Sequence, residues 1–195
     1  MTLTLTLTLT LTLTLTLTQT MNIRAAVSSD LEAIRGIHLS AFDDNENEIV
    51  ADLATDLFTE GSSSETLMLV AEIGDILVGQ VSFSPVRLKR DRRPLGYILA
   101  PLAVRPECQR SGIGSKLVEN GIRQLTRQDV NLIFVYGNPD FYGRFGFVGE
   151  LAQKFSPPFT LQYPEGWQAI ELDGERRASG GSIECVAPLC KPELW

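Results

Sequence analysis

From residue 21 onward the chain alternates between two hydrophobic periods, and each switch between them marks a new element. Residues 22–27 read as a short strand. Ser28, Ser29 and Asp30 then offer N-cap side chains, with Glu32 close behind, ahead of a helix carrying Leu31, Ile34, Ile37 and His38 on one face. An acidic loop over 42–48 leads to a second helix with Ile49, Leu53 and Leu57 at helical spacing. After a loop at 61–64, strands over 66–73 and 76–85 flank the turn at Gly74 and Asp75 and predict a hairpin. A long apolar strand over 95–104 contains Pro101, which predicts a bulge or an edge position. A third helix shows Ile113, Leu117, Val118, Ile122 and Leu125 on one side, and residues 131–136 read as a buried strand. Beyond residue 150, Pro157, Pro158, Pro164 and the pair Gly180 and Gly181 divide the chain into short strands over 159–163, 168–172 and 182–186.

Residues 1–20 stand apart as a Thr-Leu repeat ending in Gln19 and Thr20. Its period is that of a strand, but a perfect two-residue repeat is low-complexity sequence. It lacks the basic start and continuous apolar core of a signal peptide, and its alternation with Thr is not that of a membrane span. The expectation is that Met21 begins the natural protein and that 1–20 lie outside the fold, translated from a short upstream nucleotide repeat. Residues 21–150 then form the core, and 151–195 an extension completing the sheet or the acceptor pocket.

Composition narrows the class. An apolar fraction of 44% and a charged fraction of 21% are those of a soluble globular domain. A net charge of −7 argues against a nucleic-acid binder and favours cationic partners. Cys108, Cys185 and Cys190 are odd in number and widely spaced, which gives no disulfide framework. With His38 as the sole histidine, no zinc cluster is expected. Residues 87–93 form a basic patch, read as a solvated hairpin extension or as a contact for an acidic substrate or an adenosine phosphate.

The strongest chemical signal follows the apolar strand. Leu102, Ala103 and Val104 end it, and Gln109, Arg110, Ser111, Gly112, Ile113 and Gly114 form a Gly-rich turn into the third helix. A helix entrance presents backbone N–H groups without intrahelical partners and a positive dipole end, so it binds phosphate. Two nucleotide patterns fail here. Ser115 separates Gly114 from Lys116, which breaks the P-loop, and Leu117 stands where a dinucleotide fingerprint needs glycine. The pattern Gln-x-x-Gly-x-Gly remains, and it resembles the acyl-CoA-binding motif of the GNAT family of N-acetyltransferases. Downstream, Tyr142 within Phe141-Tyr-Gly-Arg-Phe-Gly-Phe147 resembles the closing motif of GNAT domains. The Tyr-Gly-Arg-Phe-Gly-Phe string looks like one subgroup of predicted small acetyltransferases.

The resemblance implies an α/β (α+β) fold: a mixed, mainly antiparallel central sheet flanked by helices, with pantetheine inserting where the strand ending at Val104 parts from its neighbour. It implies acetyl-CoA as co-substrate and no metal. Leu102, Ala103, Val104, Gln109, Arg110, Ser111, Gly112, Ile113 and Gly114 would bind it, and Tyr142 would protonate the departing thiolate. The acceptor is an amine of a small molecule or protein, with neither nucleic acid nor membrane as partner. A cytoplasmic location and a possible homodimer complete the expectation. Deprotonating a lysine-like amine at pH 7 costs about 4 kcal/mol, so a base is expected. The strand before the turn holds no acid, unlike that of many family members, and Glu72, Glu46, Glu48 and His38 are the open candidates. Two other readings stay open: a non-catalytic acyl-CoA-binding module or sensor, and a nucleotide-phosphate binder.

Overall fold

The computed structural model describes residues 20–59, 65–90, 92, 94–172 and 180–195. The repeat over 1–19 and the loop expected at 61–64 lie outside the described residues. The chain runs β1 (Met21–Ala25), α1 (Leu31–Ala41), α2 (Asn47–Thr59), β2 (Leu67–Ile73), β3 (Ile76–Leu88), β4 (Pro94–Val104) and α3 (Ile113–Thr126). It continues through β5 (Leu132–Tyr136), two short helices α4 (Pro139–Tyr142) and α5 (Gly149–Ala152), and strands β6 (Phe155–Ser156), β7 (Trp167–Glu171) and β8 (Gly181–Glu184). The sheet order is β1-β2-β3-β4-β5-β7, with β8 against the far end of β3. Every neighbour in that row is antiparallel except β4 with β5. This is the mixed, mainly antiparallel sheet that the sequence predicts.

Two cores sandwich the sheet. On one face Ile34, Ile37, Leu53 and Leu57 of α1 and α2 meet Ile98 and Phe134. On the other, Leu117, Val118 and Leu125 of α3 meet Val81, Phe83 and Val135. Gly121 lets α3 lie directly on β3, because a Cβ there would fall 2.1 Å from Cε2 of the fully buried Phe83. Gly121→Ala therefore lowers stability by about 1–3 kcal/mol. Urea unfolding should show it as a lower midpoint at unchanged slope.

Several boundaries differ from the sequence reading for identifiable reasons. Asp30 does not cap α1; its carboxylate accepts from the N–H of Val27 (2.8 Å) and pairs with Arg24, which holds its pKa below the usual carboxylate range. β3 continues through Pro85 to Leu88. The ladder alternation turns the nitrogen of Pro85 toward the β2 side, where β2 has already ended opposite Phe83, so no hydrogen bond is lost. Residues 159–163 are not a strand. Pro157 and Pro158 carry no N–H just ahead of them, and the N–H of Tyr163 bonds the Tyr136 hydroxyl (2.8 Å) instead of a ladder. The described part of the basic patch, residues 87–90 and 92, lies at the end of the β3–β4 hairpin opposite Val104, about 30 Å along the strands from the Gly-rich turn. Arg87 pairs there with Glu65 and Arg92 lies 3.6 Å from Glu184, so the solvated-extension reading holds and a cofactor contact does not.

Candidate active site

β4 makes the site by leaving β5. The two strands pair only over Tyr97–Leu99 and Ile133–Val135. Immediately afterwards Ala100 and Pro101 together face Ser82 of β3, a bulge that swings the rest of β4 away. Past the bulge the register returns, with Val81 opposite Leu102, Gln80 opposite Ala103 and Gly79 opposite Val104. The N–H of Arg105 bonds the carbonyl of Val78 (2.9 Å), which fixes the alternation. Ala103 thus turns its amide into the β3 ladder and buries its side chain. Leu102 and Val104 turn their N–H groups toward the gap that β5 has vacated. The bulge is what Pro101 predicts, and the splay is what the resemblance implies.

A cleft of about 710 Å³ occupies that gap and runs from one sheet face to the other. Leu99, Leu102, Phe141 and Tyr142 line it on the α3–α4 side, and Phe42, Glu46 and Ile49 on the α1–α2 side. The C-terminal segment closes it with Tyr163, Glu165, Glu193 and Trp195. That wall is tied to the end of β5. Tyr136 accepts from the N–H of Tyr163 and stacks on Trp195 with ring centroids 6.3 Å apart, while Gly137 donates to the carbonyl of Gly166 (3.0 Å).

Beyond the Leu102–Phe141 end of the cleft sits the Gly-rich turn. Its first helical bond runs from the N–H of Lys116 to the carbonyl of Gly112 (3.0 Å). The N–H groups of Ile113, Gly114 and Ser115 precede it and lack i→i−4 partners. Among the described residues nothing accepts from the N–H of Arg110, Ser111 or Gly112. Gly112 has φ +83°, and a Cβ there would meet no atom within 4 Å. At Gly114 a Cβ would make ordinary contacts with Phe141 (3.6 Å) and Val104 (3.7 Å), so the open space is above Gly112, and Gly114 faces these side chains. The remaining residues brace the turn. Gln109 donates through Nε2 to the carbonyl of Val104 (3.1 Å), and Ser111 donates to the carbonyl of Cys108. Ile113 is buried against β3. Arg110, at φ +59°, is exposed and makes no ion pair among the described residues.

Tyr142 is 9% exposed, packed edge-to-face on Phe141 (4.9 Å) and near Phe147 (5.9 Å), and lines the cleft. Among the described residues its hydroxyl makes no hydrogen bond. Burial pushes its pKa well above that of an ordinary phenol, so the side chain stays protonated at neutral pH. Phe145 stays in the surrounding aromatic cluster.

Of the candidate bases, only Glu46 lies on the cleft. Glu72 accepts from Asn22 and Arg24 on β2, and these bonds lower its pKa. Glu48 pairs with Arg35 on the outer surface of α2. His38 is fully buried beneath the sheet, with Nε2 2.7 Å from Oε1 of Gln80, and burial lowers its pKa to about 4. Folded His38 therefore resists protonation while the unfolded chain, near 6.5, accepts it. This term costs nothing above pH 6.5, and stability falls as pH drops from 6.5 toward 4. Between pH 7.5 and 5 the loss is about 2 kcal/mol. Urea titrations at both pH values should show that His38→Gln removes this part of the acid sensitivity.

Sequence reasoning missed Glu165, Glu193 and Tyr163. They carry no spacing signal; Tyr163 and Glu165 reach the cleft because β7 returns the chain beside β5, and Glu193 because Trp195 stacks on Tyr136 at the end of β5. Trp195 reaches it, but Trp167 does not: it stacks on Phe134 and donates Nε1 to the carbonyls of Ala152 and Phe155 (both 3.1 Å). Cys108, Cys185 and Cys190 are all free thiols. No helix among the described residues is long and apolar enough to cross a membrane.

A splayed parallel pair with a Gly-rich helix entrance beside it defines an acyl-CoA-type transferase fold, and comparison with known proteins agrees. Residues 64–149 match the family model of the acetyltransferase (GNAT) domain. An uncharacterized N-acetyltransferase of Escherichia coli K12, YjhQ, is 32% identical over 164 residues, covering 82% of this chain and 89% of the relative. The chain belongs to the GNAT acetyltransferase family. The E. coli GNAT family N-acetyltransferase YhbS, solved in complex with CoA, shares the fold at a TM-score of 0.78 and 24% identity, over 88% of this chain and 92% of that one. A GNAT family acetyltransferase from Brucella melitensis, solved with acetyl-CoA, superposes at 0.71 with 25% identity, over 88% of this chain and 99% of that one.

Proposed function

We propose that this chain moves an acetyl group from acetyl-CoA directly to an amine, in the cleft between β4 and β5. The observation that carries this reading is Tyr142, whose buried side chain lines the cleft that the splay opens and whose hydroxyl has no hydrogen-bond partner among the described residues. The residues present fit the co-substrate. The N–H groups from Arg110 to Ser115, free among the described residues, suit its pyrophosphate, and Gly112 leaves the space such an anion needs. Gln109 acts by holding the turn on Val104, while Arg110 adds an exposed cation. Leu102 and Val104 offer amide donors along the vacated edge of β4, for the pantetheine arm and for the developing oxyanion. Ala103 and Ile113 anchor those donors in the core.

Acetyl-CoA, when bound, supplies the activated acetyl thioester. Holding both reactants in one cleft removes much of the entropic barrier. As the C–N bond forms and the C–S bond breaks, Tyr142 gives its proton to the sulfur. The bound ammonium first releases one proton to solvent, with Glu46 the one named base candidate on the cleft; the neutral amine then sheds a second on attack, which restores Tyr142, so the proton balance closes. Burial keeps the Tyr142 phenol protonated at neutral pH, and the same desolvation makes the departing thiolate beside it a stronger base, so the transfer is not governed by the free-solution values. The Tyr-Gly-Arg-Phe-Gly-Phe string supports assigning the chain to one subgroup of small acetyltransferases. Residues 21–150 form the transferase core, and 151–195 the acceptor-side wall.

Calorimetry tests the donor assignment. Acetyl-CoA should bind one per chain and displace nothing that ATP occupies. Tight ATP binding with no response to acetyl-CoA would reassign the turn to a nucleotide.

A further inference from the structure

We propose that the acceptor is a cationic amine with an aromatic or alkyl body and no carboxylate, held on the α2 and C-terminal side of the cleft. The inference rests on the acetyl-CoA reading above and names its substrate class. The cleft has two chemically different halves. Its donor half, Leu99, Leu102, Phe141 and Tyr142, falls within the stretch matching the GNAT domain model. Its other half comes from residues on either side of that stretch, 42–53 and 162–195. Acceptor recognition therefore lies in the part of the chain that the shared domain does not specify.

That half has a consistent chemistry. Among the described residues the charged side chains on the cleft lining are all carboxylates, Glu46, Glu165 and Glu193, and no Lys, Arg or His lines it. All three are at the exposed rim. Glu46 and Glu165 form no ion pair among the described residues. Glu193 lies near Lys191, whose ammonium is already bonded to Asp56 (3.0 Å). Between the rim and the donor half the surface is apolar and aromatic, with Phe42, Ile49, Val50 and Trp195. Tyr142 lines the donor half, its side chain nine-tenths buried and its hydroxyl, reached from the cleft, without a hydrogen-bond partner among the described residues. A site for a free amino acid or an acidic peptide needs a cation to hold the carboxylate, most often an Arg fork. This cleft supplies none and adds negative charge instead. Net charge of −7 over the chain draws the same class of ligand toward it.

Matched acceptors separate the terms. 2-Phenylethylamine and phenylalanine present the same ring and a similar primary amine, and differ by one carboxylate; ethanolamine keeps the charge and removes the ring. Coenzyme A release should give 2-phenylethylamine a kcat/KM at least tenfold above both others. Glu46→Gln with Glu165→Gln should raise its KM about tenfold while acetyl-CoA affinity by calorimetry stays unchanged. Glu46→Lys with Glu165→Lys should narrow the gap to phenylalanine. Acetyl-CoA binding with phenylalanine used as well as 2-phenylethylamine, or with no probe used, overturns the acceptor class alone. Absence of acetyl-CoA binding overturns the donor assignment, and this inference with it.

Discussion

Replacing Tyr142 with phenylalanine lowers turnover about a hundredfold while leaving acetyl-CoA affinity where it was. The substitution removes one oxygen from a ring held by Phe141, Phe147 and the close backbone of Gly137, whose Cβ position would lie 2.6 Å from the Tyr142 ring. Among the described residues the hydroxyl bonds to nothing, so the fold loses no hydrogen bond and should melt at the same temperature or slightly higher. The effect therefore falls on the chemical step alone. A hundredfold loss is about 2.7 kcal/mol of barrier, at the low end for a general acid because a thiolate is already a fair leaving group. Steady-state kinetics beside acetyl-CoA calorimetry separate the two quantities. Unchanged turnover would remove Tyr142 from the mechanism, and a matched loss of affinity would make it a packing residue.

The second large effect is at the Gly-rich turn. Gly112→Asp should weaken acetyl-CoA binding at least a hundredfold with the fold retained. Aspartate tolerates the left-handed backbone that φ +83° demands better than most residues, and its Cβ meets no atom within 4 Å there. At the entrance of α3 its carboxylate accepts from the same first-turn N–H groups that the pyrophosphate needs. Two charge-assisted hydrogen bonds are lost, each about 1.5–3 kcal/mol, and a like charge is added. Gly112→Asn carries the same backbone strain without the charge, so it should lose distinctly less affinity. Equal affinity in the Asp variant and the parent would show that the anion binds elsewhere.

The parts of the site legible in the sequence are those that local chemistry fixes. The amphipathic spacing of Ile113, Leu117, Val118 and Leu125, the Pro101 break and the paired glycines are each a statement about neighbouring residues. They place the turn, α3 and the splay without reference to the rest of the chain. The extent of β3 was not legible, because Pro85 is tolerated only where β2 happens to end. The acceptor wall was not legible either. Tyr163, Glu165 and Glu193 lie among prolines in a segment with no period, and they reach the cleft through a bond to the Tyr136 hydroxyl and a ring stack on Trp195. His38 shows the opposite case. A histidine on a helix face reads as a candidate base, and only the tertiary structure reveals that it is sealed beneath β3 with Gln80. Glu48 and Glu72 are likewise withdrawn by Arg35 and Arg24, partners distant in sequence or across a ladder.

What separates an acetyltransferase from an acyl-CoA sensor on the same fold is turnover. The direct measurement is amine-dependent release of free coenzyme A thiol from acetyl-CoA, over pooled primary amines, with the Gly112→Asp protein as the donor-dead control. The account predicts saturable release that requires both an amine and the intact turn, with an acetamide formed for each thiol. Tight acetyl-CoA binding with no amine-dependent release across the pools would contradict it and leave the chain a binding module.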